Sequence, residues 1–273
     1  MLNPVALVAH KEFIDGFRHR WVVFASLSFA LLSLAVAFLG SAVSGQLSTP
    51  ELAPTISALA TLAALVIPLL AVLLGHDSFV GELEGGTLLL LLSYPISRWQ
   101  LLLGKFLGQG AVLATTCLIG FGVTAVALGF VVGTDQLLEL TAAFALFIFS
   151  SALLACTFLL VSYLVSLAVS TKGRAMAICL LLWFVLVLLY DLVLLGLIVA
   201  EGSESWVRAL MMANPVDLFR LSNLVYVEHQ SVSGVLSLVT SQNSNLWLML
   251  LLMFAWSAAG LFAGWQIFKR KRV

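Results

Sequence analysis

Long, uninterrupted apolar runs dominate the order of hydrophobic and polar positions in this chain. Six of them reach the length of about 20 residues that a helix needs to cross a bilayer. They cover residues 21–43, 52–75, 106–132, 140–170, 175–200 and 246–268. Because the runs are continuous rather than alternating, they are typical of helices and not of barrel strands. The pattern predicts an all-α, polytopic membrane protein with six transmembrane helices in one domain over residues 1–273.

The composition excludes a water-soluble globular protein. The chain is 62% hydrophobic and only 10% charged, whereas soluble domains have about 25% charged residues. Its formal net charge is zero, so no bulk charge favours nucleic acid as a partner. Cys117, Cys156 and Cys179 each lie inside an apolar run, and we interpret them as small buried hydrophobic residues. The bilayer is therefore the first predicted partner of this chain.

Almost all Lys and Arg residues fall on one side of the membrane if the six runs are spans. An even number of spans puts both termini on the same side, together with eleven of the 13 basic residues. These eleven are Lys11, Arg18, Arg20, Arg98, Lys105, Lys172, Arg174, Lys269, Arg270, Lys271 and Arg272. Since basic loops stay in the cytoplasm, both termini are predicted to be cytoplasmic. The 76–105 connection is then a cytoplasmic loop and the 201–245 connection an external loop.

Residues 3–20 are predicted to form an amphipathic arm before the first span. Asn3-Pro4 suits the start of a helix. The helical period then separates an apolar face from a charged face; the two faces hold Ala9, Phe13 and Phe17, and Lys11, Asp15 and Arg18. We interpret the arm as an interfacial helix on the cytoplasmic surface of the membrane. A solvated helical tail is the alternative.

The cytoplasmic loop 76–105 is predicted to contain two short helices. Gly85-Gly86 permits a sharp turn before the leucines 88–92, which are too few to span a membrane. Pro95 should end the first helix, and Ser97 should cap a second helix that begins near Arg98 and enters the third span. A short, acidic and apolar helix is suited to docking a partner protein. A loop that folds back without a partner is the alternative.

Asp191 is the one strongly ionisable residue inside a predicted span. It lies about 25 Å from the cytoplasmic end of that span, at 1.5 Å per residue. Carboxylates at such depth are costly and are usually functional or paired. Asp191 is therefore a candidate for a gate or translocation-pathway residue. The alternatives are a side chain that reaches the outer interface or one that is hydrogen-bonded to a neighbouring helix.

The external loop 201–245 contains two predicted short helices, at 207–212 and 216–226, separated at Pro215. Neither is long enough to span the membrane. Asn214, Pro215, Asp217 and Arg220 lie around the break. Gly104-x-x-x-Gly108 and Gly260-x-x-x-Gly264 match the small-residue motif of packed membrane helices, and we interpret both as weak candidates for a dimer contact.

The cytoplasmic loop resembles the first internal loop of exporter-type ABC permeases with six spans. The resemblance rests on Glu82-x-Glu84-Gly85-Gly86-Thr87-Leu88, Tyr94-Pro95-Ile96-Ser97-Arg98 and Gly104-Lys105-Phe106. Further stretches narrow it to the permeases of NosDFY-type systems. These stretches are Ala9-His10-Lys11-Glu12, Ser44-Gly45-Gln46-Leu47, Tyr190-Asp191-Leu192-Val193-Leu194-Leu195 and Asn214-Pro215-Val216-Asp217-Leu218-Phe219-Arg220. The resemblance extends over essentially the whole chain.

The resemblance implies a partner set and a location in the bacterial inner membrane. A cytoplasmic, NosF-like ATPase would dock on the loop and carry the ATP and Mg²⁺, with no cofactor on this chain. The implied ATPase-coupling residues are Glu82, Glu84, Gly85, Gly86, Thr87, Pro95 and Arg98. A periplasmic, NosD-like protein would contact Asn214, Pro215, Asp217 and Arg220, and a second copy of this chain would complete the complex. The family serves maturation of the copper sites of nitrous oxide reductase, a step of denitrification; export of another substrate, or a passive membrane scaffold, is the alternative.

The sequence does not predict an enzyme. It contains no P-loop, no Gly-x-Ser-x-Gly and no His-Glu-x-x-His motif, so ATP hydrolysis is assigned to another chain. No metal site is predicted either. Residues of types that bind copper occur, namely Met211, Met212, His229, Met249 and Met253. Methionine is also common in apolar cores, and no Met-x-x-Met or His-rich tract is present.

Overall fold

The computed structural model describes residues 3–18, 20–43, 52–200, 204–227 and 245–271. In these ranges the chain forms helices and turns and no strand. The helices are α1 (Pro4–Arg18), α2 (Arg20–Val43), α3 (Leu52–Gly75), α4 (Val80–Glu84), α5 (Thr87–Ser93), α6 (Arg98–Gly129), α7 (Leu137–Ala168), α8 (Lys172–Trp183), α9 (Tyr190–Val199), α10 (Glu204–Ala213), α11 (Pro215–Val227) and α12 (Leu246–Arg270). A 3₁₀ turn, Thr134–Gln136, precedes α7, and a π-helical segment, Phe184–Leu189, joins α8 to α9. The predicted all-α, polytopic fold class is confirmed.

Five described helical segments are long and apolar enough to cross a membrane. They are Leu52–Glu84, Arg98–Gly129, Leu137–Ala168, Lys172–Val199 and Leu246–Arg270. A sixth results if α1 and α2, which are bent by 69° relative to each other, count as one span. Helix α2 covers the run 21–43, so each of the six apolar runs contains a helix. The π-helical segment within the fifth run was not predicted.

Helix α7 lies at the centre of the bundle, where it packs against α3, α6, α11 and α12. Four aromatic rings from four helices, α7 included, form a chain of edge-on and tilted contacts there. Phe147 of α7 lies 4.5 Å from Phe121 of α6 and 5.7 Å from Phe219 of α11, and Phe121 in turn lies 4.7 Å from Phe29 of α2. Such ring pairs contribute about 0.5–1.5 kcal/mol each beyond their buried area. They hold α11 inside the bundle although it is too short to span.

The loop between α3 and α6 folds as predicted from its glycine, proline and serine. Gly86 has φ +68°, a conformation that favours glycine, and it separates α4 from α5. Tyr94 is extended before Pro95 and ends α5. Ser97 and Gln100 form a capping box. Because of this cap, α6 begins at Arg98 and continues without a break into the third apolar run.

The N-terminal helix α1 packs against α6 rather than lying free. Its buried residues are Glu12 and Gly16. The face predicted to be apolar is only half-buried at Phe13 and Phe17, whose rings lie 5.1 Å apart. The arm thus packs on α6 through Glu12 and Gly16 rather than through its apolar face, and its position at the membrane interface stays a prediction.

The Gly-x-x-x-Gly motifs pack against other helices of the same chain, contrary to their interpretation as dimer contacts. A Cβ at Gly108 would lie 2.5 Å from the Ala9 carbonyl oxygen of α1, and one at Gly104 would lie 2.6 Å from Val8 Cβ. A Cβ at Gly260 would lie 3.0 Å from Leu160 Cβ of α7. These glycines allow helices of the same chain to approach closely.

Candidate functional site

One end of the bundle, called the basic end here, carries Lys105 and Lys172 beside helices α1 and α4. Lys105 of α6 is buried there, with a side chain only 3% exposed. Its Nζ lies 3.0 Å from Glu12 Oε1 of α1 and 2.7 Å from Glu82 Oε1 of α4. One buried ammonium group thus binds two carboxylates from two different helices. Such an arrangement is stable only when hydrogen bonds satisfy the remaining polar atoms.

A buried network of hydrogen bonds satisfies the remaining polar atoms of Glu12. The amide Nε2 of Gln109 donates to Glu12 Oε2 at 2.8 Å. The amide oxygen of Gln109 accepts from Ser78 Oγ and from the Tyr163 hydroxyl, both at 2.9 Å. The network therefore connects α1, α6 and α7 with the turn that follows α3.

The first residues of α4 are held by a second contact with α7. The backbone N–H groups of Phe79 and Val80 donate to Ser166 Oγ at 3.1 and 3.0 Å. The Phe79 ring packs edge-on against Tyr163, 5.1 Å away. The N–H groups at a helix start have no partner within the helix, so Ser166 fixes α4 to the bundle.

A cavity of about 430 Å³ separates α1 from α4 at the basic end. Its lining includes Glu12 and Asp15 of α1, Glu82 of α4 and Lys105 of α6. Glu82 Oε2 is buried and has no hydrogen-bond partner. The charged side chains of the two helices therefore face each other across this space, and Lys105 bridges them at its floor.

The other predicted coupling residues attach the loop to neighbouring helices. Glu84 Oε1 accepts from the backbone N–H of Lys172, the first residue of α8, at 3.1 Å. The Thr87 hydroxyl donates to the Glu82 carbonyl at 3.3 Å. Arg98 Nη1 donates to the carbonyls of Phe268 and Lys271 at 2.7 and 2.8 Å, so it caps the last turn of α12. Glu82, Glu84 and Arg98 are thus engaged within the chain.

The outer surface of the loop is apolar. Leu89 and Leu90 of α5 are 58% and 65% exposed, and Tyr94 is 63% exposed. Gly85, Gly86, Thr87 and Pro95 are exposed beside them. Leu88 of the same helix is buried in the bundle. A short helix anchored by one leucine and exposing two others forms a rigid apolar projection, suited to a groove on a partner protein.

The opposite end of the bundle contains a second charged cluster, in which Asp191 is paired. Arg220 Nη1 of α11 donates to Asp191 Oδ2 of α9 at 2.5 Å and lies 3.8 Å from Asp217 Oδ1. Asp217 is 4% exposed. Burial, and after it the Asp191 charge, raises the pKa of Asp217 to about 7, although Arg220 acts to lower it. Two carboxylates thus share one guanidinium group.

Asn214, which lies between α10 and α11, contacts the π-helical segment, and α10 contacts α9 beside it. Asn214 Nδ2 donates to the carbonyl of Leu186 at 3.0 Å, and Asn214 Oδ1 accepts from the N–H of Val216 at the start of α11. The Tyr190 hydroxyl donates to the Leu210 carbonyl at 2.7 Å. A π-helical turn disturbs the regular backbone pairing, and the Asn214 side chain satisfies one of the carbonyls involved.

The residues predicted to contact a periplasmic partner face the chain's own helices instead. Asn214 and Asp217 are 2% and 4% exposed, and Pro215 is buried. Arg220 is occupied by Asp191 and Asp217. Contact of this group with a periplasmic protein therefore stays a prediction, to which the structure adds that Asn214, Pro215 and Asp217 are buried because α11 packs into the bundle. The predicted stretch Ser44–Leu47 and the residue His229 lie outside the described residues.

Sequence reasoning missed the role of Glu12, Lys105, Gln109 and Tyr163. A signal was present, because Lys105 and Gln109 lie four residues apart and so share one face of an otherwise apolar helix. Their carboxylate partners are distant in sequence. Among the described residues, no group of three or more His, Cys, Asp and Glu residues is placed to hold a metal ion. Met249 and Met253 lie in the hydrophobic core.

Comparison with known proteins finds relatives over nearly the full length of the chain. The family model described as "ABC-2 family transporter protein" matches residues 6–273. A protein of Stutzerimonas stutzeri named "Probable ABC transporter permease protein NosY" is 44% identical over 277 residues, covering 99% of this chain and 99% of the relative. A protein of the same name from Pseudomonas aeruginosa is 43% identical over 272 residues, covering 97% and 98%.

Proposed function

This chain belongs to the ABC-2 family of transporter membrane proteins and is the permease subunit of an ABC transporter, and from that premise we propose that it couples ATP hydrolysis by a separate cytoplasmic ATPase to a periplasmic event. The event we propose is maturation of the copper sites of nitrous oxide reductase, the role implied by resemblance to NosDFY-type permeases. In this proposal the basic end of the bundle is cytoplasmic, and the membrane is the bacterial inner membrane.

The exposed apolar projection on α5 is the observation that carries the proposal. Leu89, Leu90 and Tyr94 are exposed at the basic end, where an exposed apolar patch indicates an interaction site. The segment behind them is rigidly held by Glu84, Ser166 and Lys105. A force applied to α5 would therefore reach α6, α7 and α8 directly. A NosF-like ATPase with an apolar groove is the proposed occupant.

Co-purification tests the docking surface. The double substitution Leu89→Asp/Leu90→Asp should abolish retention of the ATPase by the tagged permease, because two carboxylates would have to enter an apolar groove. The matched control is Leu138→Asp at the opposite end, where Leu138 is 82% exposed. Retention of the ATPase by the α5 variant at the control's level would refute the docking site. Loss of retention in both variants would point to a folding defect, which size-exclusion chromatography identifies.

The partners at the other end follow from the same proposal. A NosD-like periplasmic protein would contact the outer face of α10, where Trp206 is 72% exposed, rather than the buried residues Asn214 and Asp217. The Asp191–Arg220 pair is the proposed gate element, since it joins the fifth span to α11. Two copies of the permease would serve one complex. Mass measurement of the detergent-solubilised complex by light scattering tests that stoichiometry.

A further inference from the structure

The N-terminal arm and the loop that carries α5 are linked by a single buried lysine. Glu12 belongs to α1, Glu82 belongs to α4, and Lys105 lies within 3.0 Å of a carboxylate oxygen from each. The two acidic residues are 70 positions apart in the chain. Neither ion pair caps a helix end, so the pairing serves to join α1 to α4.

The surroundings show why this link matters mechanically. Polar residues of α1 and α4 face each other across the cavity of about 430 Å³, so the two helices are not packed directly against each other there. The arm itself is seated tightly on α6, since a Cβ at Gly16 would lie 2.6 Å from Val112 Cγ2. The arm α1 is therefore expected to move together with the start of α6. Lys105, which belongs to α6, connects these two helices to α4.

A buried ion pair is a costly way to gain stability alone. Replacement of such a pair by well-packed apolar residues is often neutral or stabilising, whereas removal of one partner is strongly destabilising. The geometry of a shared ammonium group does, however, fix the relative position of three helices, namely α6, which carries the lysine, and α1 and α4, which supply its partners. This favours a positioning role over a purely stabilising one.

We propose that Lys105 is a positioning residue that makes the N-terminal arm move with α4 when the ATPase acts on α5. The inference rests on the proposed function for its driving force, but the link between arm and loop stands on the geometry alone. The arm then belongs to the moving part of the permease rather than to a fixed membrane anchor.

Two amide substitutions cut the link without leaving a bare charge. Glu12→Gln leaves Lys105 paired with Glu82, and Glu82→Gln leaves it paired with Glu12. Both variants therefore retain one ion pair and should fold. Asp15→Asn is the matched control, because Asp15 lies on the same helix as Glu12 and forms its ion pair with the exposed Lys11.

The experiment measures distances between spin labels on the full permease–ATPase complex. Labels replace the exposed residues His10 on α1 and Ser93 on α5, with a reference label at Thr141 on the opposite end of α7. The three native cysteines are replaced by alanine. Distances are recorded without nucleotide and with ATP trapped on the ATPase.

In the parent protein, nucleotide should move both His10 and Ser93 relative to Thr141 while the His10–Ser93 distance stays constant. In Glu12→Gln and Glu82→Gln the His10–Ser93 distance distribution should broaden without nucleotide and shift with it, whereas Asp15→Asn should match the parent. Parent-like distributions in both link variants under both conditions would overturn the inference. If nucleotide moves no label in any variant, the proposed function fails, and the nucleotide-free broadening still decides whether Lys105 positions the arm.

Discussion

Glu82 of α4 and Lys105 of α6 form an ion pair of 2.7 Å in which the lysine side chain is 3% exposed. The pair lies behind the exposed leucines of α5, so the charged part of the loop faces inward and its apolar part faces outward. This inverts the usual arrangement at a protein surface, where charged residues are exposed and apolar residues are buried. The inversion has measurable consequences at several positions.

Loss of the lysine should be far more damaging than loss of either carboxylate. Lys105→Met leaves Glu12 and Glu82 buried without their cation, and such a change costs about 3–5 kcal/mol. The apparent melting temperature in detergent should therefore fall steeply. Lys172→Met is the control, since Lys172 is half exposed and lies 4.0 Å from Asp77; an exposed pair contributes about 1 kcal/mol or less. Equal melting temperatures for the two variants would contradict the buried bridge.

The stability of the protein should decline as pH rises through neutrality because of Asp217. The folded state raises the pKa of this carboxyl from 3.8 to about 7, so it keeps a proton that the unfolded chain releases. The stabilisation by the protonated form is fully present below pH 3.8 and is lost progressively up to about pH 7. Asp217→Asn cannot lose that proton, and its melting temperature should fall less between about pH 5 and pH 8.

Asp15→Asn is the control for this titration, because Asp15 is 45% exposed on α1. Its pH profile should parallel that of the parent protein. If the melting temperature depends on pH equally in the parent and in Asp217→Asn, Asp217 does not carry the proton.

Gly108 should be intolerant of even one added methyl group. A Cβ there would lie 2.5 Å from the Ala9 carbonyl oxygen and 2.6 Å from Glu12 Cβ, so Gly108→Ala must push α1 away from α6. Trypsin cleavage at Lys11 should become faster. At Gly122, on the same helix, a Cβ meets nothing within 4 Å, and Gly122→Ala should be neutral or stabilise by up to about 1 kcal/mol. Equal cleavage rates would mean that α1 does not depend on this contact.

Asn214→Ala should lower the free energy of unfolding by more than the loss of an ordinary helix cap does. Loss of a side-chain cap costs about 1 kcal/mol, and Asn245→Ala at the exposed start of α12 measures that value in the same protein. Asn214 also donates to the Leu186 carbonyl of the π-helical segment, and the alanine variant loses this second hydrogen bond as well. Amide hydrogen exchange in residues 184–191 should accelerate in Asn214→Ala only. Unchanged amide hydrogen exchange in residues 184–191 would show that Asn214 does not stabilise the π-helical segment.

The local features of this fold were predictable, and the long-range ones were not. Pro95, Ser97 and Gly86 act on their immediate neighbours, and the structure places each where its backbone preference requires. The Glu12–Lys105 contact joins residues 93 positions apart, and no local pattern specifies such a partner.

The errors in the prediction share a physical origin. A Gly-x-x-x-Gly spacing predicts close helix packing but not which helix approaches, and at Gly108 the approaching helix is α1 of the same chain. Asn214 and Asp217 lie in a polar stretch and were assigned to an outer surface. Their burial follows from the apolar residues of α11, including Phe219, which enter the core together with them. The π-helical segment carries no recognisable signal, since its six residues are all apolar.

The contact of Arg98 with the end of α12 has a consequence for biosynthesis. The carbonyls that bind its guanidinium group belong to residues 268, 269 and 271, and Lys271 in turn binds the carbonyls that end α7. The ribosome delivers these acceptors long after it has delivered Arg98. The 76–105 loop therefore reaches its final geometry only once α12 has been synthesised and inserted. In the complex proposed above, this order disfavours premature engagement of the ATPase by a nascent chain.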